Sequence, residues 1–277
     1  MNHGIRKAAS FYWTARNEQK QKQAESGRVD AGLRGAVTGG AQMDGFVGLV
    51  RQVIIECGIP EDCIYERARV ELPSYYRPEK KWDLIVIYKG ALGVALEFKS
   101  QCGPSFGNNF NNRVEEAIGS ANDLWTAYRE GRLGYTIRPW LGYLFLLEDC
   151  RESSVPVSVR EPHFQVDRVF KDASYKERYA IFCRRLVLER LYDATCLLTS
   201  DFNHTPPNSR NTGSILVFPA LRIISSGANV DSKESVTVSG AVMRGLPLRG
   251  LPAFSRQHGQ NVACPAPNGE LLSPLQH

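Results

Sequence analysis

The chain has no CxxC pair among its seven cysteines, which stand at Cys57, Cys63, Cys102, Cys150, Cys183, Cys196 and Cys264. An odd number without metal-ligand spacing argues against a zinc finger and a disulfide scaffold, and for reduced thiols in a cytoplasmic protein. The five histidines, His3, His163, His204, His258 and His277, show no ligand spacing either, so no zinc site is expected. Long apolar runs are also missing. The two longest, 141–147 and 215–221, fall well below the ~20 residues of a membrane-spanning helix, and Pro219 interrupts the second. The N-terminal stretch MNHGIRKAASFYWTARNEQKQKQ has no apolar core of a secretory signal. A large excess of one charge is absent as well: 34 Lys+Arg against 29 Asp+Glu give +5. That permits a polyanionic partner without requiring one.

What is present is enough chain, 277 residues at 43% hydrophobic, to bury a substantial core. Charge is unevenly spread. Residues 201–277 hold six Lys+Arg, four Asp+Glu and eight of the 15 prolines, many beside Gly or Ser. Such a stretch is a poor builder of helices or a packed core. The expected organisation is one domain over 1–200 and a Pro/Gly/Ser-rich tail over 201–277. The first 200 residues then carry 28 basic and 25 acidic side chains. Any nucleic-acid binding must rest on where particular residues sit.

Within the first 200, residues 6–25 are polar and helix-compatible, and DAGLRGAVTGGAQMDGF (30–46) reads as a structured glycine loop. The loop's glycine spacing does not match GxxxxGK[ST], so it is not a phosphate loop. Phe46, Val47, Leu49, Val50, Val53, Ile54 and Ile55 then recur at mostly helical spacing up to Cys57-Gly58. The pattern predicts a buried helix with Asp44 as its N-cap. Residues 82–88 and 91–99 are strand-like runs separated by Lys89-Gly90, which predicts an antiparallel hairpin. A polar loop, SQCGPSFGNNFNNR, is expected next. A helix over about 113–129, a strand over 140–147 and a helix over about 175–195 complete the elements. Strands and helices alternate, which gives an α/β (α+β) class.

Asp83, Glu97 and Lys99 carry the chemistry. Alternate strand residues share a face, so Glu97 and Lys99 project together while Phe98 turns to the core. In a hairpin the start of one strand meets the end of the next, which sets Asp83 beside both. Two hard carboxylate oxygens suit Mg²⁺, which keeps waters and takes phosphate oxygens as further ligands. Such an ion polarises a phosphoryl oxygen and acidifies water. A lysine beside it can orient or deprotonate that water, or stabilise developing charge. An Asp before a strand and a Glu-x-Lys ending one are also common solvated charges. Their apolar neighbours Leu96 and Phe98 favour the functional reading, because unpaired charge on an interior strand is costly.

The D-x13-E-F-K arrangement resembles the PD-(D/E)xK nuclease superfamily, with Trp82 where that motif has proline. The segments 30–46, KKWDLIVIYKGALGVALEFKSQ (80–101), FGNNFNNRVEEAIGSANDLWTAYREG (106–131) and RRLVLERLYDA (184–194) resemble the XhoI/PaeR7I family of Type II restriction endonucleases over roughly residues 8–200. The resemblance implies a mixed central sheet flanked by helices. It also implies a Mg²⁺-dependent homodimer that cuts duplex DNA at the palindrome CTCGAG with 5′ overhangs, and a partner methyltransferase. It assigns Asp83 and Glu97 as metal ligands and Lys99 as the catalytic lysine.

Further residues are candidates on chemistry alone. Asp44 is a possible additional acid, although an N-cap role explains it equally. Asn108, Asn109, Asn111, Asn112 and Arg113 are of the types that read adenine and guanine edges. They begin soon after Lys99, but an Asn/Gly turn followed by a helix start accounts for them too. Lys80 and Lys81 could hold the phosphate backbone, though exposed lysines need no such role. Glu115 and Glu116 read as solvated helix charges. Two other functions fit the same residues: a nuclease of this fold acting in repair or nicking, and a DNA-binding protein that no longer cleaves.

Overall fold

The polar N-terminal segment winds into helix α1 (Asn2–Glu25) of the computed structural model, which describes residues 2–25, 40–134, 138–201 and 216–217. A 3-10 turn, Gly40–Met43, leads into α2 (Asp44–Glu56), whose buried side chains Phe46, Val47, Val50 and Ile54 keep helical spacing. Three short strands follow: β1 (Ile64–Glu66), β2 (Glu71–Pro73) and β3 (Glu79–Lys81). The β-branched runs form β4 (Leu84–Tyr88) and β5 (Ala91–Gln101). Lys89 and Gly90 both take positive φ, 50° and 75°, as a tight two-residue hairpin turn requires. Helix α3 (Phe106–Arg129), β6 (Trp140–Glu148), the single turn α4 (Arg151–Ser154), α5 (Tyr175–Leu188), β7 (Ala194–Ser200) and β8 (Leu216–Val217) complete the described chain.

Six strands make one mixed sheet in the order β1-β4-β5-β6-β7-β8, while β2 and β3 pair separately. The sheet is antiparallel at both edges and parallel through β5, β6 and β7, each parallel step carrying a crossover helix. On one face Ala95, Tyr143, Phe145, Leu147 and Leu197 pack with Ala117, Leu124 and Trp125 of α3 and Tyr179, Phe182 and Leu186 of α5. The alternating residues Leu84, Leu96, Phe98, Leu144, Leu146 and Leu198 are buried as well. The sheet is therefore covered on both faces. Helices α1 and α2 pack closely: a Cβ on Gly45 would lie 3.1 Å from the Ala8 Cα. Helix α1 is tied to the sheet where Tyr12 Oη meets Cys102 Sγ at 3.1 Å and Trp13 Nε1 donates to Ser200 Oγ at 2.9 Å. Among the described residues, no helix is long and apolar enough to cross a membrane.

The expected α/β class, the central hairpin and the 140–147 strand are present. Four local expectations are corrected. Residues 106–112 are not loop but the first turns of α3. Phe106 stacks on Tyr175 at 5.6 Å and Phe110 meets the Tyr179 ring at 5.0 Å, so tertiary burial overrides the weak helix propensity of the Gly/Asn run. The helix expected to reach residue 195 ends at Leu188, and Ala194–Ser200 is strand β7, paired in parallel with β6. Asp44 is the first residue inside α2. Met43 holds the N-cap position, with no side-chain cap. The glycine loop lies outside the described residues for 30–39, and its 40–46 part is helical rather than loop. Most of the 201–277 segment is likewise outside the described residues. Its Leu216–Val217 pair adds the edge strand β8 to β7.

Candidate active site

The hairpin register, in which Leu84 faces Leu96, sets Asp83 against the end of β5. Its amide donates to the Leu96 carbonyl at 3.2 Å, and its Oδ2 accepts from the Phe98 amide at 2.7 Å. Main chain and side chain together fix the carboxylate. Glu97 and Lys99 share one face, and Lys99 Nζ lies 2.9 Å from Glu97 Oε1. Lys80 of β3 reaches the same oxygen at 3.2 Å, with its ammonium 4.5 Å from the centre of the Trp82 ring. Glu97 is only 2% exposed. All four charged groups line a cleft of about 1130 Å³.

Burial decides the electrostatics, and neighbours then divide the two acids. Asp83 is pushed up by burial, against the opposing pull of Lys99 and of its backbone hydrogen bond. Burial acts on Glu97 in the same sense, but the Lys99 and Lys80 ammoniums outweigh it and hold its carboxyl below the usual range. For Lys99, burial would lower the value; the negative charges of Glu97 and Asp83 outweigh that and raise it. Lys99 is thus an ammonium at neutral pH, suited to stabilising negative charge.

A divalent cation fits these donors. Glu97 Oε2 is buried without a hydrogen-bond partner among the described residues, and only one Asp83 oxygen is committed to the Phe98 amide. Two hard carboxylates, one just before β4 and one on β5, suit an ion that completes its shell with water and phosphate. Among the described residues no cluster of three or more His, Cys, Asp or Glu side chains forms a fuller cage.

The other expected residues divide. Lys81 lines the cleft, as do Asn109 and Arg113, one helical turn apart on α3. Arg113 pairs with Glu116 at 2.5 Å. Asn108, Asn111 and Asn112 are exposed and do not line it. Asp44 borders the cleft and pairs with Arg67 at 2.6 Å. Glu115 and Glu116, read as solvated charges, also reach its wall. Three features escaped the sequence reading. Lys80 contacts Glu97 itself. Asp123, buried on α3, accepts from the amides of Tyr75 and Tyr76 at 2.7 and 3.1 Å and from Arg77 Nε at 2.8 Å, which fixes the turn between β2 and β3. Residues 103–107, GPSFG, also carry the letters of a serine nucleophile elbow. Among the described residues no histidine lines the cleft beside Ser105, so none of them serves that serine as a base.

A mixed sheet that gathers two carboxylates and a lysine at the end of an antiparallel pair, with crossover helices beside it, is a restriction-endonuclease-like α/β fold. The comparisons agree. The family model for restriction endonuclease XhoI matches residues 22–211, and the chain belongs to that family. It is 52% identical over 185 residues to the Type II restriction enzyme BstVI of Geobacillus stearothermophilus, covering 65% of this chain and 82% of that one. It is 41% identical over 239 residues to the Type II restriction enzyme XhoI of Xanthomonas vasicola, covering 85% and 87%. Identity to the Type II restriction enzyme AbrI of Azospirillum brasilense is 50% over 164 residues, covering 59% and 73%. No solved structure matches the chain significantly.

Proposed function

We propose that the chain is a Mg²⁺-dependent homodimer that hydrolyses duplex DNA at the palindrome CTCGAG, leaving 5′ overhangs, within a system whose methyltransferase protects host DNA. The observation that carries this is the Asp83–Glu97–Lys99 cluster in a cleft also lined by Arg67, Arg77, Lys80, Lys81 and Arg113. Two-fold symmetry of the protein is the physical counterpart of a palindromic site. The division into a nuclease part, 1–200, and a C-terminal segment, 201–277, belongs to the same reading.

Asp83 and Glu97 would hold the ion, which supplies Lewis-acid polarisation of the phosphoryl oxygen and a more acidic water. Lys99 keeps its proton and presents positive charge where negative charge develops on the phosphorus oxygens. Lys81 and Arg113, which border the same cleft, would position the phosphate backbone, and Asn109, on the same wall, would be the asparagine that reads a base edge. In the reaction a water oxygen bonds to phosphorus, the P–O bond to the leaving strand breaks, and the leaving oxygen is protonated.

Two plasmids differing only in one CTCGAG site, each incubated with Mg²⁺ or with EDTA, test the reading. Linearisation confined to the plasmid with the site, and only with Mg²⁺, is expected. Cutting at another sequence refutes the specificity and spares the nuclease. Nicking of either plasmid points to a repair-type role, and binding without cleavage under every metal points to a non-cutting protein.

A further inference from the structure

Sequence reasoning gives Lys80 a phosphate-backbone role, but its surroundings are those of an interior counter-ion. Its side chain is only 12% exposed, and its ammonium lies 3.2 Å from Glu97 Oε1. Among the described residues its other hydrogen bond is to the Lys81 carbonyl at 3.5 Å, and its charge also acts on Asp83. The Trp82 ring lies 4.5 Å below it, a favourable site for a partly desolvated cation. Trp82 is the residue that replaces the motif's proline, and it is itself buried. Lys99 touches the same Glu97 oxygen at 2.9 Å, while among the described residues Oε2 makes no hydrogen bond of normal geometry, the Tyr192 hydroxyl being the carboxylate's further polar neighbour. Two cations therefore share one oxygen of a carboxylate that offers its other oxygen to an ion.

We infer that Lys80 is a positioning residue of the catalytic centre: it occupies the divalent cation's electrostatic place beside Glu97 until the ion arrives. This rests on Asp83 and Glu97 as the metal ligands. In the metal-free protein Lys80 keeps the buried carboxylate company, because an uncompensated buried charge is strongly destabilising. When a dication binds, its charge and that of Lys80 compete for one carboxylate. Metal binding and the Lys80 contact are then linked with opposite sign, and each weakens the other by the same factor. Lys99 still holds Glu97 in place when Lys80 is removed, so the competition, rather than loss of the ligand's position, sets the sign.

The test needs no DNA. The full-length protein is titrated with Mn²⁺ by calorimetry, and its melting temperature is read without metal and at saturating Mn²⁺. Lys80→Met is expected to bind Mn²⁺ tighter by on the order of tenfold, a typical coupling factor. It is expected to melt lower than wild type without metal, with the gap closing once Mn²⁺ saturates. Lys80→Arg, which keeps the charge, is expected to return both readings toward wild type. Unchanged or weaker Mn²⁺ affinity in Lys80→Met overturns the inference. So does a melting deficit of equal size with and without metal, since a packing role or a DNA-anchoring role would leave the metal dependence unmoved. If wild type itself fails to bind Mn²⁺, the metal-ligand reading falls and the inference with it; wild-type binding without a Lys80 effect sinks the inference alone.

Discussion

Lys99 is the residue whose charge the site fixes most firmly, because Glu97 and Asp83 raise its pKa against burial. Lys99→Ala is therefore expected to slow single-turnover cleavage by on the order of 10²–10³-fold, the scale for losing one preorganised stabiliser of transition-state charge. DNA affinity measured without turnover should change little. A variant cutting at the wild-type rate would refute the assigned role. The three residues of this cluster are legible in the sequence because a tight hairpin turns a spacing along the chain into a contact. Lys80 is not legible in that way. Its approach to Glu97 depends on the separate β2–β3 pair folding back beside β5, and nothing local in the 79–81 segment encodes it. The local composition marks it as one of several surface lysines, and the Trp82 ring that shelters it reads as a strand apolar.

At the scale of elements, α3 is the connection between core and cleft. Its inner side buries Ala117, Ala121 and Leu124, and its N-terminal turns set Asn109 and Arg113 on the cleft wall. Phe106 and Phe110 continue the i, i+4 apolar series of Val114 backwards, a signal that places the helix start before the Asn-rich run. Gly107 and the asparagines hide it, since their propensities argue for a turn. Strand β7 was obscured similarly, because ATCLLTS directly follows a helical period and its apolar run is too short to separate by pattern. Asp123 ties α3 to the 74–78 turn, and Asp123→Ala is expected to lower stability by about 2–3 kcal/mol, since two backbone amides and Arg77 lose their acceptor. Its carboxyl is held low: burial would raise it, but the Tyr76 and Tyr75 amides and then Arg77 outweigh that. A depressed folded-state pKa contributes stability above the unfolded value of about 4, and that contribution is lost as pH falls through the folded pKa. In denaturant melts, the gap between wild type and Asp123→Asn should stay constant above about pH 5 and narrow as the pH drops below about 4. A gap that widens with acid would contradict the assignment.

For the whole molecule, the class was legible from alternation alone, and the family from long ordered segments rather than from the three site residues. The small net charge said little, because the cleft's basic side chains share its wall with the acids Asp44, Asp83, Glu97, Glu115 and Glu116. The family match ends at residue 211 and the last described strand at Val217. Truncation after residue 220 is accordingly expected to leave specific cleavage within a few-fold of the full chain, and light scattering should give twice the chain mass for both forms. Loss of activity with the tail, or a monomer that cuts both strands in one event, would contradict this. The central claim is that Asp83, Glu97 and Lys99 form a metal-dependent centre that hydrolyses DNA. Its most direct measurement is cleavage of one CTCGAG duplex in Mg²⁺ by wild type and by Asp83→Ala and Glu97→Ala, with DNA binding followed in parallel. The account predicts rapid cutting by wild type and none by either variant, both of which still bind the duplex. Cutting by either variant at a rate near wild type would contradict it.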